Sequence, residues 1–410
     1  MQIKKCTIIY AILYAMTFLN IRYFAQYYIF RDICIVAVAI YLFLYMRQIY
    51  KKCNKGIVAV MLVFFGILMY SFYRNYEIAY THRNDLLIFS ISLLEVFLCL
   101  SVNSDKEKLL QLISVFYKLQ LFFVLLNDLL ILVAPGLASK YNEYYLLGNK
   151  FTIGYQHILL IGLFLTRNVM MGKPIRINEK MKTVMFSLLL AGIAVITNSA
   201  TSLVIVPLFI LFIILRLRNH DFIYSRAGYM MLLALSTLFV VAYDIVLSIE
   251  PVQLVITQVL GRSATLTSRT KIYALIPELL NGRLLWGYGY GTSYDMLISK
   301  YYFPNTQNGI LEWIWQGGIF TAITLVILIG CLVKYIKANS SQTTDYRFMY
   351  DVACVFAVIS SVEIVIDLQF LTLLIIVYYL SLIQTSEPLK TAYESIGEDT
   401  CRNQLQRMQH

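Results

Sequence analysis

Residues Ser268–Gly318 read SRTKIYALIPELLNGRLLWGYGYGTSYDMLISKYYFPNTQNGILEWIWQGG. Elsewhere the chain is a string of apolar runs joined by short basic or polar connections. Only here does a long amphipathic segment interrupt them. Arg262, Arg269, Lys271 and Arg283 cluster at its start. A Gly287–Tyr288–Gly289–Tyr290–Gly291 run follows, and Asn305–Asn308 leads back into an apolar helix. Long loops in compact domains are functional or disordered. The aromatic and aliphatic content of this one argues against disorder. Ile272, Tyr273, Leu275, Ile276, Leu279 and Leu280 recur at near-helical spacing beside Lys271, Glu278 and Arg283. Helices lying along a membrane surface carry this pattern. The loop, taken as residues 250–304, is expected to cap a bundle.

The bundle is expected in a membrane. Of 410 residues, 59% are hydrophobic and only 14% charged, with mean hydropathy +0.69. Soluble domains carry ~25% charged residues, and a bilayer span needs ~20 mostly apolar residues. The opening MQIKK and its apolar run lack a small-residue cleavage site, so they read as a retained first helix. Twelve candidate spans follow from hydropathy: 6–23, 28–46, 56–73, 85–102, 109–134, 151–170, 181–197, 201–217, 228–249, 308–336, 349–366 and 368–383. The expected fold is an all-α polytopic membrane bundle, residues 1–384, with an external helical loop and a polar cytoplasmic tail, 385–410.

Orientation comes from Lys and Arg. One set of connections holds Lys51, Lys52, Lys55, Lys173, Arg176, Lys180, Lys182, Arg216, Arg218, Arg226, Lys334 and Lys337. The opposite connections are poorer in both residues. The rich set is expected in the cytoplasm, with both termini inside and the 250–304 loop outside. This placement absorbs most of the +11 net charge, so no nucleic-acid partner is inferred. The seven cysteines show no C-x-x-C spacing and read as apolar packing residues.

No HExxH, GxSxG, Walker loop or dinucleotide fingerprint is present. The GYGYG run lacks the Thr-Val of a potassium filter. No cluster of Asp, Glu and His with ligand spacing appears in the outer connections, so neither metal nor cofactor is called for. What stands out is Arg262, Arg269 and Arg283 beside a glycine turn. Guanidinium groups grip phosphate bidentately, glycines let a backbone approach a ligand, and Tyr288, Tyr290, Tyr294 and Trp286 can stack on sugars. That set suits a lipid-linked phosphosugar. The same arginines could instead anchor the loop to headgroups while the glycines make a turn. Ionisable residues within spans are costly and hence paired or functional. Among them, His157 and Glu312 lie at the outer ends of their helices and are candidates to line the site.

The stretch resembles the signature region of the O-antigen ligase/polymerase superfamily, most closely the Wzy-type polymerases of capsule and O-antigen synthesis. The matching residues are Arg269, Tyr273, Gly287–Gly289–Gly291, Gln307–Asn308 and Gly317–Gly318. Gly148–His157 (GNKFTIGYQH) and Thr197–Ser202 (TNSATS) resemble two further family segments. Two departures stand against a ligase: Gln307 where ligases carry His, and Ala200 where some members carry Arg. The resemblance implies an enzyme of the bacterial cytoplasmic membrane. It would join undecaprenyl-diphosphate-linked oligosaccharide repeats on the outer side, with membrane lipid, a flippase and a chain-length regulator as partners. It implies catalytic roles for Arg269, Gln307 and Asn308. Substrate contacts would fall to Arg262, Arg283, Gly287, Gly289, Gly291, Tyr290, His157 and Glu312. The alternatives are a ligase-type glycan transferase and a lipid-linked oligosaccharide flippase. The general base is left unassigned.

Overall fold

The computed structural model describes residues 5–19, 26–134, 144–172, 177–217, 222–259, 269–336 and 346–383. Arg262 and the 385–410 tail lie outside the described residues. Among the described residues the fold is helical apart from one two-stranded hairpin, Tyr144–Tyr145 against Gly148–Asn149. Helices occupy all twelve expected places. Among the described residues, five helices are long and apolar enough to cross a membrane: Lys55–Arg74, Tyr76–Val102, Lys106–Val133, Arg226–Ser248 and Gly309–Leu332. A sixth is the pair Tyr28–Leu44 and Met46–Lys52, bent by 78°. The chain is thus a helical membrane protein by the length and apolarity of these segments.

Several of the expected spans are shorter than the sequence suggests. Lys5–Thr17 and Arg347–Ile359 hold 13 residues each. At 1.5 Å per residue that is ~20 Å, against ~30 Å of bilayer hydrocarbon. Leu368–Ile383 is also in the short class. The expected span 349–366 fails to run through because Ser360–Asp367, SSVEIVID, turns the chain. Asp367 then starts the next helix, its Oδ1 accepting from Phe370 N at 3.0 Å.

Helix Lys150–Met170 is the central post. It packs against Lys106–Val133, Ile177–Ile196, Ala200–Leu217 and Arg347–Ile359, and is buried almost all round between Gln156 and Thr166. Asn149 starts it by accepting from Phe151 N at 3.1 Å and Thr152 N at 2.9 Å, a cap worth ~1 kcal/mol. Polar side chains tie its neighbours together, as they do between membrane helices generally. Gln120 Nε2 donates to Gln156 Oε1 at 2.7 Å, and Tyr14 OH to Gln120 Oε1 at 2.9 Å. Gln156 Nε2 reaches Gln369 Oε1 at 3.3 Å, and Gln369 Nε2 donates to the Phe18 carbonyl at 3.2 Å. This network sits where Lys5–Thr17 ends and Leu368–Ile383 begins. Toward the other end of Arg347–Ile359, Arg216 pairs with Asp351 at 2.9 Å, and Tyr224 OH meets the same carboxylate at 2.9 Å.

Candidate functional site

The Gly-rich run docks into a broken helix. Helix Gly309–Leu332 is interrupted at Gly318, with φ 73° and ψ −175°. A continuous helix would give Ile319 N–H to the Trp315 carbonyl, but here it goes to Leu284 O at 2.9 Å. The carbonyls this frees are taken by the loop: Tyr288 N donates to Trp315 O at 2.7 Å and Gly289 N to Gln316 O at 3.0 Å. The approach is too close for side chains. A Cβ on Gly287 (φ +63°) would lie 2.3 Å from Trp315 O, and one on Gly318 would lie 2.0 Å from Leu285 O. The glycines do permit a close backbone approach, as the sequence implied, and the partner is the chain's own helix. Gly289 and Gly291 similarly rest against Ala79 and the His82 ring.

The end of helix Lys55–Arg74 completes this dock, a role the sequence did not signal. Ser71 Oγ reaches the Trp286 and Gln316 carbonyls. Asn75 Nδ2 donates to Gly287 O at 3.3 Å, and Arg283 Nη1 donates to Asn75 Oδ1 at 2.5 Å. Arg283 also lies over the Tyr288 ring, 5.4 Å from its centroid. Burial raises the Tyr288 phenol above its ordinary value, with the Arg283 charge pulling the other way. Tyr290 packs its ring against Phe89 and Trp313. On the loop's outer side His82 Nε2 meets Asp295 Oδ2 at 2.9 Å.

The Gln307–Asn308 pair stands at the start of the broken helix. Asn308 caps it, accepting from Ile310 N at 3.1 Å and Leu311 N at 3.0 Å. Its Nδ2 lies 3.2 Å from both the Ser236 and Ser361 carbonyls. The amide therefore donates and accepts at once, toward the protein itself. Gln307 takes a left-handed φ of 58°, and its Nε2 donates to Asn305 Oδ1 at 2.6 Å. Tyr273 OH meets Gln307 O at 2.8 Å and Ser361 O at 3.1 Å. Tyr273 belongs to helix Arg269–Leu279, which Arg269 opens one turn earlier; the Arg269 side chain lies outside the described residues. Glu312, 3% exposed, sits one turn into the helix. Ser293 Oγ donates to it at 2.5 Å and Gln316 Nε2 at 2.9 Å. Thr306 Oγ1 and N lie at 2.8 and 3.4 Å. Ser293 comes from helix Thr292–Tyr301, so this carboxylate pins the cap to the helix start.

The other two segments singled out in the sequence meet nearby. Ser202 Oγ donates to the Lys150 carbonyl at 3.2 Å, and a Cβ on Gly154 would lie 2.7 Å from Ser202 Oγ. Thr201 Oγ1 donates to Glu363 Oε1 at 3.3 Å. Glu363 is on the Ser360–Asp367 turn, the turn that also receives Asn308, Tyr273 and, through Ser360 O at 2.8 Å, Gly309 N. His157 is 1% exposed and stands apart from this junction in a pair with Asp128. Its Nε2 lies 2.9 Å from Asp128 Oδ2 and its Nδ1 2.8 Å from the Ile153 carbonyl. Both ring nitrogens thus face oxygen atoms of the protein. Asn127 beside it holds the hairpin, accepting from Leu147 N at 3.2 Å.

The junction is buried, with Asn308 1% and Glu363 8% exposed. Ser236 lies ten residues into helix Arg226–Ser248, ~15 Å from its start at 1.5 Å per residue. Asn308 meets the bundle at that level. Irregular backbone at membrane depth is tolerated only where protein buries it or it lines an aqueous cavity. Over the junction, Ile272, Tyr273, Ile276, Leu280, Leu297, Leu311 and Trp315 form a separate apolar cluster that holds the cap down. Sequence reasoning missed Ser361 because a span was expected through it. The acidic Glu363 and Asp367 in that run were the available signal. No family model matches the chain, and comparisons with curated proteins and solved structures find no match.

Proposed function

We propose that the protein is a membrane glycosyltransferase that polymerises undecaprenyl-diphosphate-linked oligosaccharide repeats at the outer side of a bacterial cytoplasmic membrane. The observation that carries this reading is convergence. Two segments chosen for family resemblance meet on one turn, and the third is tied to them through Ser202. Tyr273 and Asn308 hang on the Ser361 carbonyl. Thr201 holds Glu363 two residues on, and Ser202 ties that strip to the start of helix Lys150–Met170.

In the reaction, a hydroxyl of one lipid-linked repeat attacks the anomeric carbon of the glycan on another carrier. The carbon–oxygen bond to diphosphate breaks, and undecaprenyl diphosphate leaves with the electron pair. Negative charge grows on the leaving group, where a preorganised guanidinium accelerates the step. Arg269 is the candidate, since Arg283 is engaged with Asn75. Asn308, Gln307 and Glu312 act as positioning residues that hold the cap over the junction.

The test is a chromosomal deletion in the native host, followed by analysis of its lipid-linked glycans. Outward-facing single repeats should accumulate. Inward-facing repeats would point to a flippase, and unchanged polymer would remove the reading. Arg269→Lys keeps the charge but loses the bidentate fork, so the rate should fall by ~10²–10³ at a normal protein level. A lysine variant with wild-type chain length would leave Arg269 as a headgroup anchor.

A further inference from the structure

Lys118 presents a charge to the hydrocarbon. It belongs to helix Lys106–Val133, one of the five spans, and is exposed. The polar start of that helix marks the membrane surface: Asp105 meets Lys108 at 3.1 Å and Lys52 at 3.5 Å. From Lys108 to Lys118 the rise is ~15 Å at 1.5 Å per residue, half of a ~30 Å hydrocarbon layer. Among the described residues Lys118 has no hydrogen-bond or ion-pair partner. Phe122, Leu125, Leu129 and Leu132 are exposed too. Steps of four and three residues keep them in line with Lys118, the stripe on which a second helix packs.

We infer that this stripe docks a transmembrane helix of a different protein, one that carries an Asp or Glu at mid-depth opposite Lys118. The inference stands apart from the polymerase reading. A charge at the bilayer centre is costly, and such residues pair with an opposite charge or face an aqueous interior. Lys118 does neither within this chain. Headgroups lie farther away than its four-carbon stem reaches by snorkelling. The stretches outside the described residues hold no apolar run long enough for another span. A second copy offers no matching acid. Glu95, Asp128, Glu312 and Asp351 are buried, and Asp367 caps a helix enclosed at the centre of the bundle. The exposed Asp32 and Asp244 lie only ~9 and ~6 Å from the far ends of helices Gln26–Leu44 and Arg226–Ser248, whereas Lys118 is ~22 Å from the far end of its own. A carboxylate from another chain is therefore the group that fits.

The experiment uses purified full-length protein in proteoliposomes. The probe is a synthetic Leu/Ala helix of about 20 residues with Glu, Leu or Lys at its centre, and binding is read by fluorescence energy transfer. Wild type should prefer the Glu helix to the Leu helix by roughly 5- to 30-fold. Lys118→Leu should lose that preference, and Lys118→Glu should transfer it to the Lys helix. Equal binding of all three helices to wild type, or a Glu preference that survives Lys118→Leu, would overturn the inference. Transfer between two labelled copies of the protein that Lys118→Leu abolishes would give the stripe to a second copy and overturn it as well. In native membranes a photoreactive residue at Phe122 should crosslink to a helix that holds Asp or Glu. Adducts with lipid alone would reduce Lys118 to a lipid-facing cation and sink the docking role.

Discussion

Replacing Gly287 by alanine should loosen the cap, and the structure gives the size of the effect through a paired control. Gly282 and Gly287 both have positive φ, +72° and +63°. A Cβ on Gly282 meets nothing within 4 Å, whereas one on Gly287 lies 2.3 Å from Trp315 O. The left-handed backbone costs each alanine ~1–2 kcal/mol, and this cancels between the two variants. What remains for Gly287→Ala is displacement of the loop from the helix break. That loses two backbone hydrogen bonds, Tyr288 N to Trp315 O and Gly289 N to Gln316 O. At ~0.5–1.5 kcal/mol net each, the difference is ~1–3 kcal/mol, or roughly a 5- to 150-fold change in cap opening. A thiol reports it: Leu297 is 1% exposed, so Leu297→Cys in a Cys-free background labels only when the cap lifts. Adding Gly287→Ala should speed labelling by that factor over Gly282→Ala. Equal labelling rates would refute the idea that the glycine run exists for contact with Trp315 and Gly318.

Two more outcomes are expected. Asn308→Ser keeps a helix cap but removes the amide that reaches Ser236 and Ser361, at 3.2 Å each. It should lower unfolding stability by ~1–3 kcal/mol through these two lost bonds, read as a drop in Tm in detergent; an unchanged Tm would show that the clamp carries no weight. For orientation, Ser299→Cys and Gly172→Cys, both at exposed positions, should differ in intact cells. An impermeant maleimide should label Ser299→Cys and spare Gly172→Cys, following the Lys/Arg asymmetry; the reverse pattern would turn the protein over.

Helix positions were legible because an apolar run long enough for a helix is a strong, local signal. The amphipathic stretch around Tyr273 was legible for the same reason: Ile272, Tyr273, Ile276 and Leu280 are the residues that bury. Helix length at 347–366 was not legible. Val362, Ile364, Val365 and Ile366 keep hydropathy high through a turn whose geometry depends on Gly309, Asn308 and Trp313 docking against it. The glycine run was seen as a place of close backbone approach, but the sequence could not say what approaches. That depends on Gly318, 31 positions from Gly287, breaking a helix that hydropathy reads as continuous. Arg283 looked like a ligand-binding cation because its acceptor, Asn75, is 208 positions away. Long-range polar partners leave no periodicity to read.

On the proposed polymerase reading, depth also bears on why the site would transfer sugar to sugar rather than to water. An activated glycan over an open surface would meet water at far higher concentration than any acceptor. Closing a site removes that competitor and strengthens the electrostatic contacts inside. Here the closure has a physical basis. Lys5–Thr17 and Arg347–Ile359, 13 residues each, reach only ~20 Å, so the turn after the second is buried within the bundle. The cap above is fixed by an apolar cluster, by the Glu312 contacts to Ser293 and Thr306, and by the loop seated at Gly318. Arg269 opens the cap helix one turn before Tyr273, whose hydroxyl meets that buried turn. A residue bound for lipid headgroups alone would have no reason to sit on the element that joins cap to turn. Polymer length, and its loss to hydrolysis when Gly287→Ala lifts the cap, would report that closure.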